Sequence, residues 1–147
     1  MYRKSYIKWL FYEPVSSTNK SMVILFARII FGFLFLSHGI AKLHMYSYAP
    51  ETFPNPIGLG SGLSLWLVLF AEILCTLGFI LGTLFRLSLI PMIFTMCVAI
   101  FVIHSGNPLA AKEPALMYLT IFVLLYITGP GRFSIDGIIR SIYMGTK

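Results

Sequence analysis

The chain has 147 residues, enough for one domain, with 58% hydrophobic and only 11% charged residues and a mean hydropathy of +0.86. A water-soluble domain carries about 25% charged residues, so this composition excludes an ordinary soluble enzyme and a disordered chain. Cys75 and Cys97 are too few for a disulfide-stapled scaffold, and the net charge of +6 contains no basic run that would suit nucleic acid.

Residues 1–21 read as a basic, aromatic interfacial segment: Tyr2, Tyr6, Trp9 and Leu10 share a helical face, with Lys4 and Lys8 opposite. A first span follows over Met22–Leu43. It exceeds a signal-peptide core of about 7–15 residues and ends on Ser37-His38-Gly39-Ile40-Ala41-Lys42, so it reads as retained. The loop His44–Gly62 is rich in proline and glycine, and Gly58-x-Gly60-x-Gly62 has the wrong spacing for a dinucleotide fingerprint. The second span is Leu63–Phe85 and the third is Leu87–His104, with Pro91 one turn in. The fourth, Pro114–Thr128, is short; it either borrows Leu109–Glu113 or sits where the membrane is thinned. After Gly129-Pro130-Gly131, residues 129–147 form a second interfacial segment, with Ile135, Ile138, Ile139 and Ile142 at helical spacing.

A helix needs about 20 apolar residues to cross a bilayer. Inside hydrocarbon the backbone must bond to itself, and strict alternation is absent, so the spans are helices. The fold class is therefore an all-α membrane protein: a four-helix transmembrane bundle over residues 22–128, flanked by interfacial helices, with the bilayer as its first partner. Trp9, Trp66, Tyr46 and Tyr48 fall where aromatic belts belong. With both termini on one side, that side carries Arg3, Lys4, Lys8, Lys20, Arg86, Arg132, Arg140 and Lys147, against Lys42 and Lys112 on the other. This asymmetry places both termini in the cytoplasm.

Ionisable groups inside a span are costly and mark function by default. Glu72 lies roughly 13 Å below the outer surface and His38 roughly 7 Å. His104 closes the third span, Glu113 opens the fourth, and Lys42 sits a turn above His38 at the rim. Together His38, Lys42, Glu72, His104 and Glu113 form the candidate cluster. In a structural role, Glu72 pairs with His38 or Arg28, or is protonated, and joins the helices. In a ligand role, His and Glu bind the carbonyl or hydroxyl of a quinone-type molecule and relay protons. A metal site from two His and two Glu lacks any local ligand motif, and none is expected. The ligand role predicts an outer pocket touched by His38 and Glu72 and flanked by Phe35 and Trp66. Arg28, six residues into the first span, is expected to snorkel to the interface. Cys75 and Cys97 share a depth but lack a Cys-x-x-Cys motif and read as inert thiols. Gly78-x-x-x-Gly82 permits close helix approach within the bundle, or between copies in a homo-oligomer.

The first span reads Arg28-x-x-x-Gly32 then Ser37-His38-Gly39-x-x-Lys42-Leu43, and the second Ala71-Glu72 then Leu77-Gly78-x-x-x-Gly82-x-x-x-Arg86. His104 and Glu113 follow, and the tail reads Thr128-Gly129-Pro130-Gly131-Arg132-Phe133-Ser134-Ile135-Asp136. From about Leu25 to Gly137 this pattern resembles the DoxX family of small four-helix membrane proteins. The resemblance implies a bacterial or archaeal inner-membrane location. It also implies association with quinone reduction or oxidative-stress complexes, without an agreed catalytic residue. The expected protein is a redox-associated subunit that takes a quinone or similar lipophilic ligand in the outer half of the bundle. It would draw electrons from a partner redox protein, since nothing here suits flavin, haem or an iron–sulfur cluster, and would not be an enzyme on its own. The rival is a non-catalytic structural or assembly subunit; a small transporter is a weaker fit for four spans without a broken-helix pair. The charge asymmetry yields a direct test: a reporter fused to the C-terminus is expected to be active in the cytoplasm, and activity confined to the periplasm would overturn the orientation.

Overall fold

The computed structural model describes residues 17–144. The expected interfacial face of Tyr2, Tyr6, Trp9 and Leu10 lies outside them. Four helices are long and apolar enough to cross a membrane: α1 Thr18–Tyr46, α2 Ser61–Leu81, α3 Phe85–Ile103 and α4 Leu109–Thr128. A fifth, α5 Ile135–Met144, follows in the tail. The described residues contain no strand.

Each boundary has a local cause. Helix α1 starts four residues before Met22, because the Ser17 hydroxyl accepts the Lys20 N–H and caps it. Its 29 residues run about 43 Å, more than a hydrocarbon core of about 30 Å. Helix α2 stops at Gly82, which takes the left-handed conformation (φ 69°) and closes the helix end. Helix α4 takes in Leu109–Glu113, so it needs no thinned membrane. It ends at Gly129, which has φ 85°.

The centre is filled with rings. Phe35, Phe79, Phe85 and Phe122 pack with Leu89, Met92, Met96, Cys75 and Leu125. Phe79 stacks on Phe85 at 5.4 Å between centroids, and Phe35 meets Phe122 edge-on at 5.0 Å. Outward faces carry Phe26, Phe33, Leu74, Phe94, Phe101 and Ile127, all exposed, as a lipid-facing surface requires. At the end of the bundle away from both termini of the described chain, labelled the outer end, the loop folds back: Phe53 is buried against Leu65 and Leu69, with Tyr46 edge-on to it.

The inner end, where both termini of the described chain lie, is closed by Arg28. Snorkelling is not what this side chain does; it is 1% exposed. Its Nε donates to the Phe79 carbonyl (3.1 Å) and its Nη2 to the Ile80 carbonyl (2.6 Å), at the C-terminus of α2. Its Nη1 donates to the carbonyls of Pro130 (2.8 Å) and Phe133 (3.0 Å) in the tail. Helix C-termini leave carbonyls unpaired and partly negative, and the guanidinium fork satisfies them. The tail returns the favour at α3: the Asp136 carboxylate accepts the N–H groups of Leu84 (3.0 Å) and Phe85 (2.9 Å). Leu84 has φ 44°, a strained position for a side-chain-bearing residue, and the two carboxylate bonds hold it there. Ser21 on α1 accepts the Arg132 N–H, completing the closure.

Arg28→Met is expected to strand several buried carbonyls and destabilise the protein by about 3 kcal/mol or more. Asp136→Ala should cost about 1–2 kcal/mol through the lost cap. Thermal melting in detergent measures both; an unchanged melting temperature for Arg28→Met would show that the inner end does not depend on it.

Candidate functional site

The outer half of the bundle brings together part of the expected cluster. Lys42 on α1 donates to both carboxylate oxygens of Glu72 on α2, at 2.5 and 2.6 Å. Glu72 is 1% exposed, whereas the Lys42 side chain is 33% exposed. The pair is thus sealed at the acid and open at the base. Neither His38 nor Arg28 is the partner of Glu72, contrary to the structural pairing expected; Arg28 is committed to the inner end.

Two features build this pair. The first is Gly39, where α1 touches α2: a Cβ there would lie 2.8 Å from Ile73 Cγ1 and 2.9 Å from Glu72 Cβ. Only glycine lets the helices approach this closely, and Lys42, nearly a turn further on, then overhangs Glu72. The second is a π-helical turn over Phe70–Cys75, with Glu72 inside it. The Thr76 hydroxyl donates to the Ala71 carbonyl five residues back (3.2 Å), which settles one carbonyl of the widened turn. Such turns recur at functional sites.

His38 stands one residue before Gly39 and is exposed on the bundle surface. Its ring lies edge-on to Tyr118 of α4, 5.7 Å between centroids. Tyr118 also packs against Phe31 and Phe35. His38 and Tyr118 both lie within electrostatic reach of Glu72. Tyr118, not Glu113, is therefore the contribution of α4 to the cluster. A single tyrosine in an apolar run carries no mark of this in the sequence.

His104 and Glu113 lie elsewhere. His104 ends α3 after a second π-helical turn, Ala99–Ile103, and its Nδ1 pairs with the Asn107 side chain at 2.9 Å. Glu113 is exposed and lines a cavity of about 590 Å³ on the outer flank of α4, with Phe31, Leu109, Met117, Thr120 and Ile121. The expected pocket touched by His38 and Glu72 is not the cavity found. The rings of Phe35 and Phe122 occupy the centre instead, and the flanking role expected of Phe35 and Trp66 fails: Phe35 is core and Trp66 faces outward. Among the described residues no three His, Cys, Asp or Glu side chains converge as metal ligands, and both cysteines are free thiols.

Four apolar helices with rings at their centre and lipid-facing side chains outside define a multi-pass α-helical membrane protein. The family model for DoxX matches residues 23–105, more than half of the chain, and the chain belongs to that family. The match contains His38, Gly39, Lys42 and Glu72 and ends before Glu113, Tyr118 and the tail. Comparison with curated proteins gives no match, and neither does comparison with solved structures.

Glu72→Ala leaves Lys42 without its partner and empties a buried position. Because Lys42 is one third exposed, the loss should fall below the cost of about 3–5 kcal/mol for breaking a fully buried pair but still lower the melting temperature. Glu51→Ala, in the exposed loop turn, should leave melting unchanged. Equal melting temperatures for the two variants would contradict the assignment of the ion pair.

Proposed function

We propose that this DoxX-family protein is a redox-associated subunit of a membrane complex that receives the headgroup of a quinone or similar lipophilic molecule. The headgroup would sit at the outer rim of the bundle, on His38, Tyr118 and Lys42, and not in the centre. The observation that carries this is an unmet hydrogen-bonding demand. Among the described residues, neither ring nitrogen of His38 nor the Tyr118 hydroxyl has a hydrogen-bond partner. Polar groups facing hydrocarbon are costly unless satisfied. A quinone carbonyl takes a donor and a quinol hydroxyl takes an acceptor. Imidazole supplies both, and the Lys42 ammonium beside it adds a further donor. The isoprenoid tail would leave through lipid. Electrons must come from a partner protein, and the location consistent with this role is the bacterial inner membrane with both termini in the cytoplasm.

A second reading, a structural or assembly subunit, is favoured by the ring-filled centre and by a Glu72 that is already paired. Native mass spectrometry of the membrane-purified protein separates the two. A bound quinone, lost in His38→Phe and Tyr118→Phe variants that melt like the parent, supports the rim site. Partner subunits without any quinone would favour assembly alone.

A further inference from the structure

The C-terminal helix carries a surface that the rim site does not use. Along α5, Ile138 and Ile142 are 58% and 71% exposed, and Ile135 and Ile139 each 38%. These four positions form one helical face, and no described element covers it. Arg132, just before the helix, is exposed, and Arg140 on it is half-buried; among the described residues neither guanidinium has a partner. The one acid of the helix, Asp136, is 7% exposed and turned inward onto the N–H groups of Leu84 and Phe85. The helix therefore keeps its one acid inside the protein, while the isoleucines and Ser141 are exposed and Arg140 is half-exposed. Its position is fixed as well. Asp136 ties it to the first turn of α3, the Asp136 N–H donates to the Gly82 carbonyl (2.9 Å), and Arg28 holds Pro130 and Phe133. These anchors set it beside the end of α2 and the start of α3.

We infer that α5 is a docking arm for anionic lipid. Its isoleucines enter the acyl boundary of the leaflet on the side of the termini, and Arg132 and Arg140 bind lipid phosphates. An uncharged apolar helix would dock on any bilayer; one that sequesters its acid and displays arginines discriminates by headgroup charge. Because the arm is bonded to the start of α3 and to Gly82, docking also steadies the inner end of the bundle. This inference stands independently of the rim site.

The test uses the full chain in lipid nanodiscs, either of phosphatidylcholine alone or mixed with phosphatidylglycerol. An environment-sensitive fluorophore is placed at Ile142→Cys, and in a second preparation at Ile138→Cys. The unsubstituted chain, treated in parallel, gives the background from Cys75 and Cys97. Emission should move to shorter wavelength in both bilayers, further with phosphatidylglycerol, and the added shift should vanish in high salt. Arg132→Gln and Arg140→Gln, whose guanidinium groups make no bond in the inner closure, should each lose part of the added shift that phosphatidylglycerol gives. Water-like emission in both bilayers would overturn the inference, and so would a shift indifferent to phosphatidylglycerol. A shift that grows with the protein-to-lipid ratio would also overturn it, because the occupant would then be a second copy of the chain.

Discussion

Arg28 donates to four main-chain carbonyls, two at the end of α2 and two in the tail, and the inner end of the bundle is organised around those bonds. Water cannot reach carbonyls in hydrocarbon, so a helix that ends there needs donors from the protein. A guanidinium offers five in a rigid fork, which lysine cannot match. Its ring contact with Phe85, 5.5 Å from the centroid, adds a cation–π attraction on the remaining side. Several sequence features exist because that fork is where it is. Gly82 must be glycine twice over: its backbone is left-handed, and a Cβ would lie 2.5 Å from Arg28 Nη2 and 2.6 Å from Ser134 Cβ. The Gly129-Pro130-Gly131 break lets the tail turn back so that its carbonyls meet the arginine.

The outer half is governed by a different economy of space. There the helices are drawn together by a missing side chain at Gly39 and a widened turn at Glu72, and the result is a charged pair. A buried ion pair is weak evidence for stability, since apolar side chains of similar volume often do as well or better. Two local irregularities meet at this one pair, which supports the ligand reading proposed above. The filled centre below is why that reading puts the ligand at the rim. With Phe35, Phe79 and Phe122 interlocked, a visitor cannot enter between the helices without displacing rings, whereas His38 and Tyr118 stand already exposed or half-exposed at the surface.

The spans were legible because bilayer thickness dictates their length and because few charged residues interrupt them. Glu72, Lys42 and His38 stood out for the same reason: a polar group in an apolar run is conspicuous. Their pairing was less legible, since depth measured along a helix ignores the reach of a lysine stem, and Lys42 bends to an acid that the count had placed well below it. The same arithmetic misplaces Arg28. Its distance from the helix start suggested the interface, but the tail that surrounds it arrives from residues 130–133, over a hundred positions away, and no local pattern announces that return. His104 and Glu113 looked like cluster members because each marks a helix end on the correct side. Which way a terminal residue turns depends on the twist of the preceding turn, and the π-helical stretch before His104 has no signature in composition.

Helix α2 also carries one inward stripe straight through the widened turn at Phe70–Cys75. Leu65 and Leu69 before the turn, Glu72 within it and Thr76 and Phe79 after it are all buried, and they follow one another by four, three, four and three residues. One stripe thus serves both ends of the bundle: Glu72 accepts from Lys42 at the rim, and the Phe79 carbonyl accepts from Arg28 at the closure. Moving a side chain of this stripe to the neighbouring position would turn it about 100° away from the bundle, so the spacing of these residues is under a tighter constraint than the identity of most side chains between them.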